Sequence, residues 1–127
     1  MVTLTPRSGW FTEPSVTVNP QNPRQVAVAF QNNARVSFST DGGETWHAAS
    51  GTAPTDFRVS GDVSIAYDNQ GHAILCYIAF DKLGTTDYWA HNATRNGVFV
   101  RRSLDGGKTW AAKAVAVIQH DTAPGIP

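Results

Sequence analysis

The stretch "SLDGGKTW" (103–110) decides the reading of this chain, because sixty-four residues earlier the chain reads "STDGGETW" (39–46). The two octets agree at Ser39/Ser103, Asp41/Asp105, Gly42/Gly106, Gly43/Gly107, Thr45/Thr109 and Trp46/Trp110. The Ser, Asp and Thr can each turn a side-chain oxygen onto a nearby backbone N–H, and paired glycines supply the positive φ that a tight hairpin turn demands. The Trp is then expected to fold beneath the turn. A Trp ring that buries ~150–250 Å² contributes at most ~4–6 kcal/mol by area, whereas each turn hydrogen bond adds only ~0.5–1.5 kcal/mol net. The octet therefore predicts a folding staple whose Asp is structural.

Around each octet the same series of extended segments recurs. "EPSVTVN" (13–19) corresponds to "DVSIAYD" (62–68), "VAVAF" (26–30) to "AILCYIAF" (73–80), and "ARVSFS" (34–39) to "GVFVRRS" (97–103). After each Trp comes one more extended stretch, "WHAAS" or "WAAKAVAVI". No segment shows a helical period over a useful length, so the chain predicts four short antiparallel strands, twice, the sequence mark of β-propeller blades.

Composition excludes more than it nominates. Lys plus Arg and Asp plus Glu number ten each, for a formal net charge of zero, which leaves no basic footprint for nucleic acid. No apolar run approaches the ~18 residues of a membrane span, and "MVTLTPRSGW" lacks the apolar stretch of a signal peptide. The single Cys76 lies within "AILCYIAF" and is expected to act as a small buried hydrophobe. His47, His72, His91 and His120 show no ligand spacing, so neither a metal nor another cofactor is expected. Arg101-Arg102, at the end of a strand, reads as a solvated face, and "NAT" (92–94) has only the form of a glycosylation acceptor.

The pattern Ser-x-Asp-x-Gly-x-Thr-Trp resembles the Asp-box, or BNR repeat, of sialidases and related propellers. Both octets match it at Ser39, Asp41, Gly43, Thr45 and Trp46 and at Ser103, Asp105, Gly107, Thr109 and Trp110. The resemblance implies an all-β fold made of two four-stranded antiparallel blades of a sialidase-like β-propeller, six-bladed when complete. Blade one is expected over about 13–50 and blade two over about 62–118. It also implies a secreted or periplasmic setting in a bacterial parent, and a glycan or glycoconjugate as partner. The remaining blades would come from a longer parent chain or from a homo-oligomer, of which a trimer would give six.

Hairpin parity locates the surface of interest. In a meander the Asp-box turns and the first hairpin turns share one end, which leaves the crossover "GTAPTDFRVSG" (51–61) and the connection "DKLGTTDYWAHNATRN" (81–96) at the other. The corresponding connection in the first unit is only "QNN" (31–33), so the second carries about fifteen extra residues, and inserted loops are where function concentrates. Tyr88, Trp89, His91 and Arg95 in that loop, with Arg58 on the crossover, are candidates for contact with a sugar. The alternative is that Tyr88 and Trp89 form the loop's own small core. Glu13 and Asp62, at the starts of the innermost strands, are candidates for a glycosidase carboxylate pair or, more simply, for backbone caps. In sialidases three Arg clamp the substrate carboxylate, and the first sits in an Arg-Ile-Pro segment. Here "TEPS" offers Thr12 and Glu13 instead. Two functions stand open: a glycan-processing module related to glycoside hydrolases, or a non-catalytic propeller that binds carbohydrate or protein.

Overall fold

The computed structural model describes residues 1–4, 12–52, 57, 59–81 and 95–120. They form eight strands: β1 (Ser15–Val18), β2 (Val26–Phe30), β3 (Arg35–Ser39), β4 (His47–Ala48), β5 (Val59–Tyr67), β6 (Ala73–Phe80), β7 (Asn96–Ser103) and β8 (Val115–His120). A 3-10 turn at Asn32–Ala34 joins β2 to β3. The strands make two antiparallel meanders, β1-β2-β3-β4 and β5-β6-β7-β8, each with the up-and-down order of a propeller blade.

Register gives each sheet two distinct faces. Ser15 pairs with Ala29 and Ala29 with Val36, so these three share a forward face with Thr17, Ala27 and Phe38. In the second sheet Ile65 pairs with Leu75 and Leu75 with Arg101, which defines a rear face that also carries Tyr77 and Phe99. The forward face of the first sheet meets the rear face of the second. Two hydroxyls stitch the inner strands together, since the N–H of Ile65 donates to Ser15 Oγ (3.1 Å) and that of Tyr67 to Thr17 Oγ1 (3.3 Å).

The core lies in this seam, and its composition is asymmetric. The first sheet supplies Ala27, Ala29, Ala34 and Val36, and the second supplies the larger Ile65, Leu75, Tyr77, Phe99 and Trp110 beside Ala73 and Ala79. Small residues on one side leave the room that large ones fill from the other, as dense interior packing requires. β6 alternates strictly between buried and half-buried positions along its eight residues, because only its rear face is covered. Cys76, expected in the core, falls on the other face and is half-buried. The same parity corrects the reading of Arg101-Arg102. Arg102 is exposed, but Arg101 is 2% exposed beside Leu75, with one Nη2 hydrogen bond to the Ala112 carbonyl at 3.4 Å. Its Nε and the Tyr77 hydroxyl find no hydrogen-bond partner among the described residues, and Tyr77 stacks on Phe99 at 5.9 Å. Burial pushes the Tyr77 phenol upward, and the Arg101 charge opposes that rise.

Both octets fold as expected at the hydrogen-bond level. Ser39 Oγ donates to Asp41 Oδ1 (2.8 Å) and accepts the Gly43 N–H (2.9 Å), and the Thr45 N–H donates to Asp41 Oδ1 (2.9 Å). The second turn repeats this with Ser103 to Asp105 (2.7 Å), the Gly107 N–H to Ser103 (2.9 Å) and the Thr109 N–H to Asp105 (2.9 Å). Gly42, Gly43, Gly106 and Gly107 all adopt positive φ. The Trp46 and Trp110 indole N–H groups donate to the Gly43 and Gly107 carbonyls. The Thr45 hydroxyl and N–H, with the Ser39 hydroxyl, hold the Asp41 carboxyl far below the usual carboxylate range. For Asp105 burial pushes the other way, but the bonds from Thr109, Ser103 and Lys108 together outweigh it and the carboxyl is held low.

The two tryptophans differ in what covers them. Trp110 is 7% exposed and belongs to the seam, whereas Trp46 is only half-buried, because the Asp-box Trp packs toward the preceding sheet and the first sheet has none before it in the described residues. The second Asp-box turn leans on the first blade, where a Cβ on Gly106 would stand 2.6 Å from Gln25 Oε1, and is held within its own blade by Tyr67. The Tyr67 hydroxyl donates to the Gly106 carbonyl at 2.6 Å, and burial pushes that phenol up to about 12. Gln21 donates across to the Asn69 carbonyl, joining the two first-hairpin loops, and the Gly42 N–H donates to the Arg24 carbonyl at 2.8 Å. The first-hairpin loops and both Asp-boxes thus share one end of the molecule.

Two outcomes follow from this scaffold. Trp110→Ala is expected to destabilise by ~3–5 kcal/mol, the range for truncating a buried Trp, and Trp46→Ala by distinctly less, ~1–2 kcal/mol, because its ring is less completely covered. Urea melts of the two variants measure the difference, and equal losses would contradict the one-sided packing. The lowered Asp41 and Asp105 carboxyls stabilise the fold fully above the ordinary carboxylate value near pH 4, and that contribution is lost as pH falls toward their folded values. Urea midpoints followed from pH 7 down to pH 2 are therefore expected to drop steeply in the wild type. An Asp41→Asn, Asp105→Asn double variant should start lower at pH 7 and show a flatter acid limb.

Candidate functional site

The end opposite the Asp-boxes collects the starts of β1 and β5, the β2–β3 connection and the base of the β6–β7 connection. Gln31 organises it. Its backbone N–H donates to the Thr12 carbonyl (3.0 Å), immediately before Glu13. Its side-chain Oε1 accepts the Asp62 N–H at 2.7 Å. One residue of the first blade thereby ties together the starts of both inner strands. Gly61 makes the approach possible, because a Cβ there would stand 3.0 Å from Gln31 Nε2.

Glu13 and Asp62 occupy equivalent places in the repeat, and both are exposed with φ of 49°. A left-handed backbone is uncommon for a residue with a side chain, and more so for Glu than for Asp. At Asp62 it coincides with a register shift in the β5–β6 ladder between Gly61 and Ser64. A bulge of this kind re-aims a side chain and ends regular pairing. Gln31 thus holds the backbone at both acids at one end of the molecule.

Arg95 sits at the base of the long connection. Its carbonyl accepts the Asp81 N–H at 3.1 Å, and its guanidinium lies over the Phe57 ring with Cζ 5.0 Å from the centroid. Phe57 in turn packs on Phe99, centroids 4.9 Å apart. The crossover and the β6–β7 connection therefore meet at Phe57, and Arg95 is engaged there by a cation–π contact, worth ~0.5–1 kcal/mol at an exposed site. Arg58, Tyr88, Trp89 and His91 lie outside the described residues.

Two contributors escaped the reading of the sequence. Gln31 was visible only as a polar residue in a short loop. Phe57 lay in a crossover whose packing depends on a strand far along the chain. At the Asp-box end the polar groups are spent on structure. Asp68, for example, accepts the N–H groups of Gln70 and His72 (2.9 Å each) and meets His72 Nδ1 at 3.1 Å. Among the described residues no three His, Cys, Asp or Glu side chains converge as a metal site would require, and no helix is long and apolar enough to cross a membrane.

These features define the class: an all-β protein of two propeller-type blades, each turned by an Asp-box. The comparison with protein families agrees on the repeat itself, since the BNR/Asp-box repeat matches residues 37–48, from the middle of β3 to the end of β4. The chain is thus similar to sialidase-like, glycan-related modules that carry this repeat. No curated protein matches the chain.

The left-handed acid at the start of β1 yields a prediction. Glu13→Gly relieves a non-glycine positive φ, a strain of ~1–3 kcal/mol, against ~0.5–1 kcal/mol of added chain entropy. The variant is expected to gain about 1 kcal/mol in a urea melt. A loss of the same size would mean that the Glu13 side chain makes stabilising contacts that outweigh the backbone strain.

Proposed function

We propose that this chain is a glycan-recognising module of sialidase-like type, with its binding face at the end that holds Glu13, Asp62, Gln31 and Arg95. The observation that supports this reading is the tether through Gln31, which holds the backbone beside two exposed acids at the same end of adjacent inner strands. Carboxylates in this setting accept hydrogen bonds from sugar hydroxyls, and a fixed carboxylate can take two at once. Strain kept at both acids is what a ligand clamp would require, since a residue held in a sparse backbone region persists only where its surroundings enforce it.

Recognition is favoured over cleavage of sialic acid by two details. The segment that would carry the first substrate-clamping Arg reads Thr12-Glu13-Pro14, and the guanidinium of Arg95 is engaged on Phe57. Glu13 and Asp62 as the acid and base of another glycoside hydrolase is the second reading, supported by the same paired carboxylates. The inserted 81–96 connection, with Tyr88, Trp89 and His91, and Arg58 on the crossover, would complete the binding face by stacking on sugar rings and donating to their oxygens.

A glycan array on the full chain identifies a ligand, and titration calorimetry then compares variants. Glu13→Gln and Asp62→Asn are each expected to weaken binding by ~10-fold or more, the worth of a hydrogen bond to a charged group. Asp41→Asn, at the other end, is expected to leave affinity unchanged at pH 7. A panel of fluorogenic glycosides run beside it separates the two readings, because turnover abolished by both carboxylate variants would mark a hydrolase. Binding that ignores both variants would sink the assignment of this face.

A further inference from the structure

Around their Asp-boxes the two blades repeat at a fixed offset of sixty-four residues, so the first blade shows what the second would be if it served the fold alone. In the first blade Phe38 and His47 are partners across β3 and β4, with ring centroids 5.7 Å apart. Their equivalents in the second blade are Arg102 and Ala111. These remain neighbours, since the Ala111 N–H donates to the Arg102 carbonyl at 2.9 Å. A methyl group thus stands where the first blade has an imidazole. Beside it the second blade opens a cavity of about 360 Å³, lined by Arg102, Leu104, Asp105, Thr109, Trp110 and Ala111. A volume of this order holds a small ligand.

The lining groups are not equally free. Asp105 is spent on the turn, where Oδ1 accepts the Ser103 hydroxyl and the Thr109 N–H and Oδ2 accepts the Thr109 hydroxyl. The Arg102 guanidinium is exposed and has no ion pair or hydrogen bond among the described residues. Leu104, 69% exposed, makes the rest of the lining apolar together with Trp110 and Ala111. The surroundings carry the sign of Arg102. Between Arg101 and Lys113 stand four cations, Arg101, Arg102, Lys108 and Lys113, against the one carboxylate of Asp105. The equivalent segment of the first blade, Ser37 to Ala49, holds Asp41 and Glu44 and no Lys or Arg. The turn requires none of these exchanges, because its internal hydrogen bonds are the same in both blades.

We propose that this cavity binds a small monoanion with a ring-sized apolar body, an arylalkyl carboxylate, whose carboxylate pairs with Arg102 while its ring lies against Leu104, Trp110 and Ala111. The fork of a guanidinium matches the two oxygens of a carboxylate, and such a pair is stronger than a neutral hydrogen bond. One unspent cation in the lining balances one negative charge. A neutral ligand of the same shape leaves that cation unpaired, and a cationic one is repelled by it. The excess of cations at this end of the second blade draws anions toward the mouth of the cavity. The site lies at the Asp-box end, away from Glu13 and Asp62, and stands independently of the glycan reading.

Titration of the intact, nitrogen-15-labelled chain with phenylpropionate, followed by NMR through the backbone amides of 102–111, tests this, with the primary amide of the same acid as the neutral isostere. The carboxylate is expected to shift these amides with a dissociation constant of ~1 mM, the affinity open to a ligand of this size. Its amide should bind ~10-fold more weakly or worse, the worth of a charge-assisted hydrogen bond. Arg102→Gln should erase that preference. Ala111→His restores the ring of the first blade and should abolish binding of both compounds by filling the cavity. An unchanged urea midpoint confirms that each variant folds. If Ala111→His fails that check, Leu104→Thr, which restores the first-blade residue at an exposed position, replaces it and should weaken both compounds. Equal binding of carboxylate and amide overturns the proposal, as does a preference that survives Arg102→Gln or binding that the cavity variant leaves unchanged. Shifts confined to residues outside this segment, or no shifts with ~20 mM carboxylate, far above the expected constant, overturn it as well.

Discussion

One carboxylate in each outer turn sets the geometry on which the rest of the molecule depends. Asp105 accepts the Ser103 hydroxyl and the Thr109 N–H, and Ser103 accepts the Gly107 N–H. The turn is thereby closed from within rather than by neighbours. Closure fixes where Trp110 leaves the chain, and Trp110 then fills the seam between the sheets. A filled seam fixes how close β5 comes to β1, so that Ser15 and Thr17 reach the N–H groups of Ile65 and Tyr67. The spacing of the inner strands in turn lets Gln31 hold the start of β5 at the far end. A local turn thus governs, through packing, the placement of two acids at the opposite pole.

The sequence was most legible where periodicity and repetition coincided. "VAVAF" and "AILCYIAF" were read as strands over the residues that form β2 and β6, because alternation and flanking turn residues leave a short strand few alternatives. The Asp-box hydrogen bonds were legible for a similar reason, since they involve residues at most four apart. What stayed hidden depends on neighbours distant in the chain. The two Trp are equivalent within their octets, and only the arrangement of the sheets makes one fully buried and the other only partly so. Cys76 sits in an apolar run, but its parity turns it to the face that no described element covers. Arg101 could have been found by counting back two residues from Ser103, which the turn places on the buried face. Gln31 offered no local signal, since its role arises from the close approach of Gly61, thirty residues later.

The division of size across the seam explains why the two blades are not interchangeable despite their repeat. Alanines on the forward face of the first sheet accept bulky side chains from the second, whereas Ile74 and Cys76 replace Ala27 and Ala29 on the forward face of the second sheet.

The unpaired polar atoms fit the same division of labour. Arg101 Nε and the Tyr77 hydroxyl lie in the seam without hydrogen-bond partners among the described residues, a cost of ~1–3 kcal/mol for each such group. The seam tolerates that cost because the aliphatic stem of Arg101 and the ring of Tyr77 bury apolar area beside Leu75 and Phe99. By contrast, the backbone strain at Glu13 and Asp62 is not offset by any burial, since both side chains are exposed. Strain that packing explains belongs to the fold. Strain that appears twice at exposed acids, at the same step of a repeat, calls for an explanation outside the fold, and a ligand that engages both carboxylates supplies one.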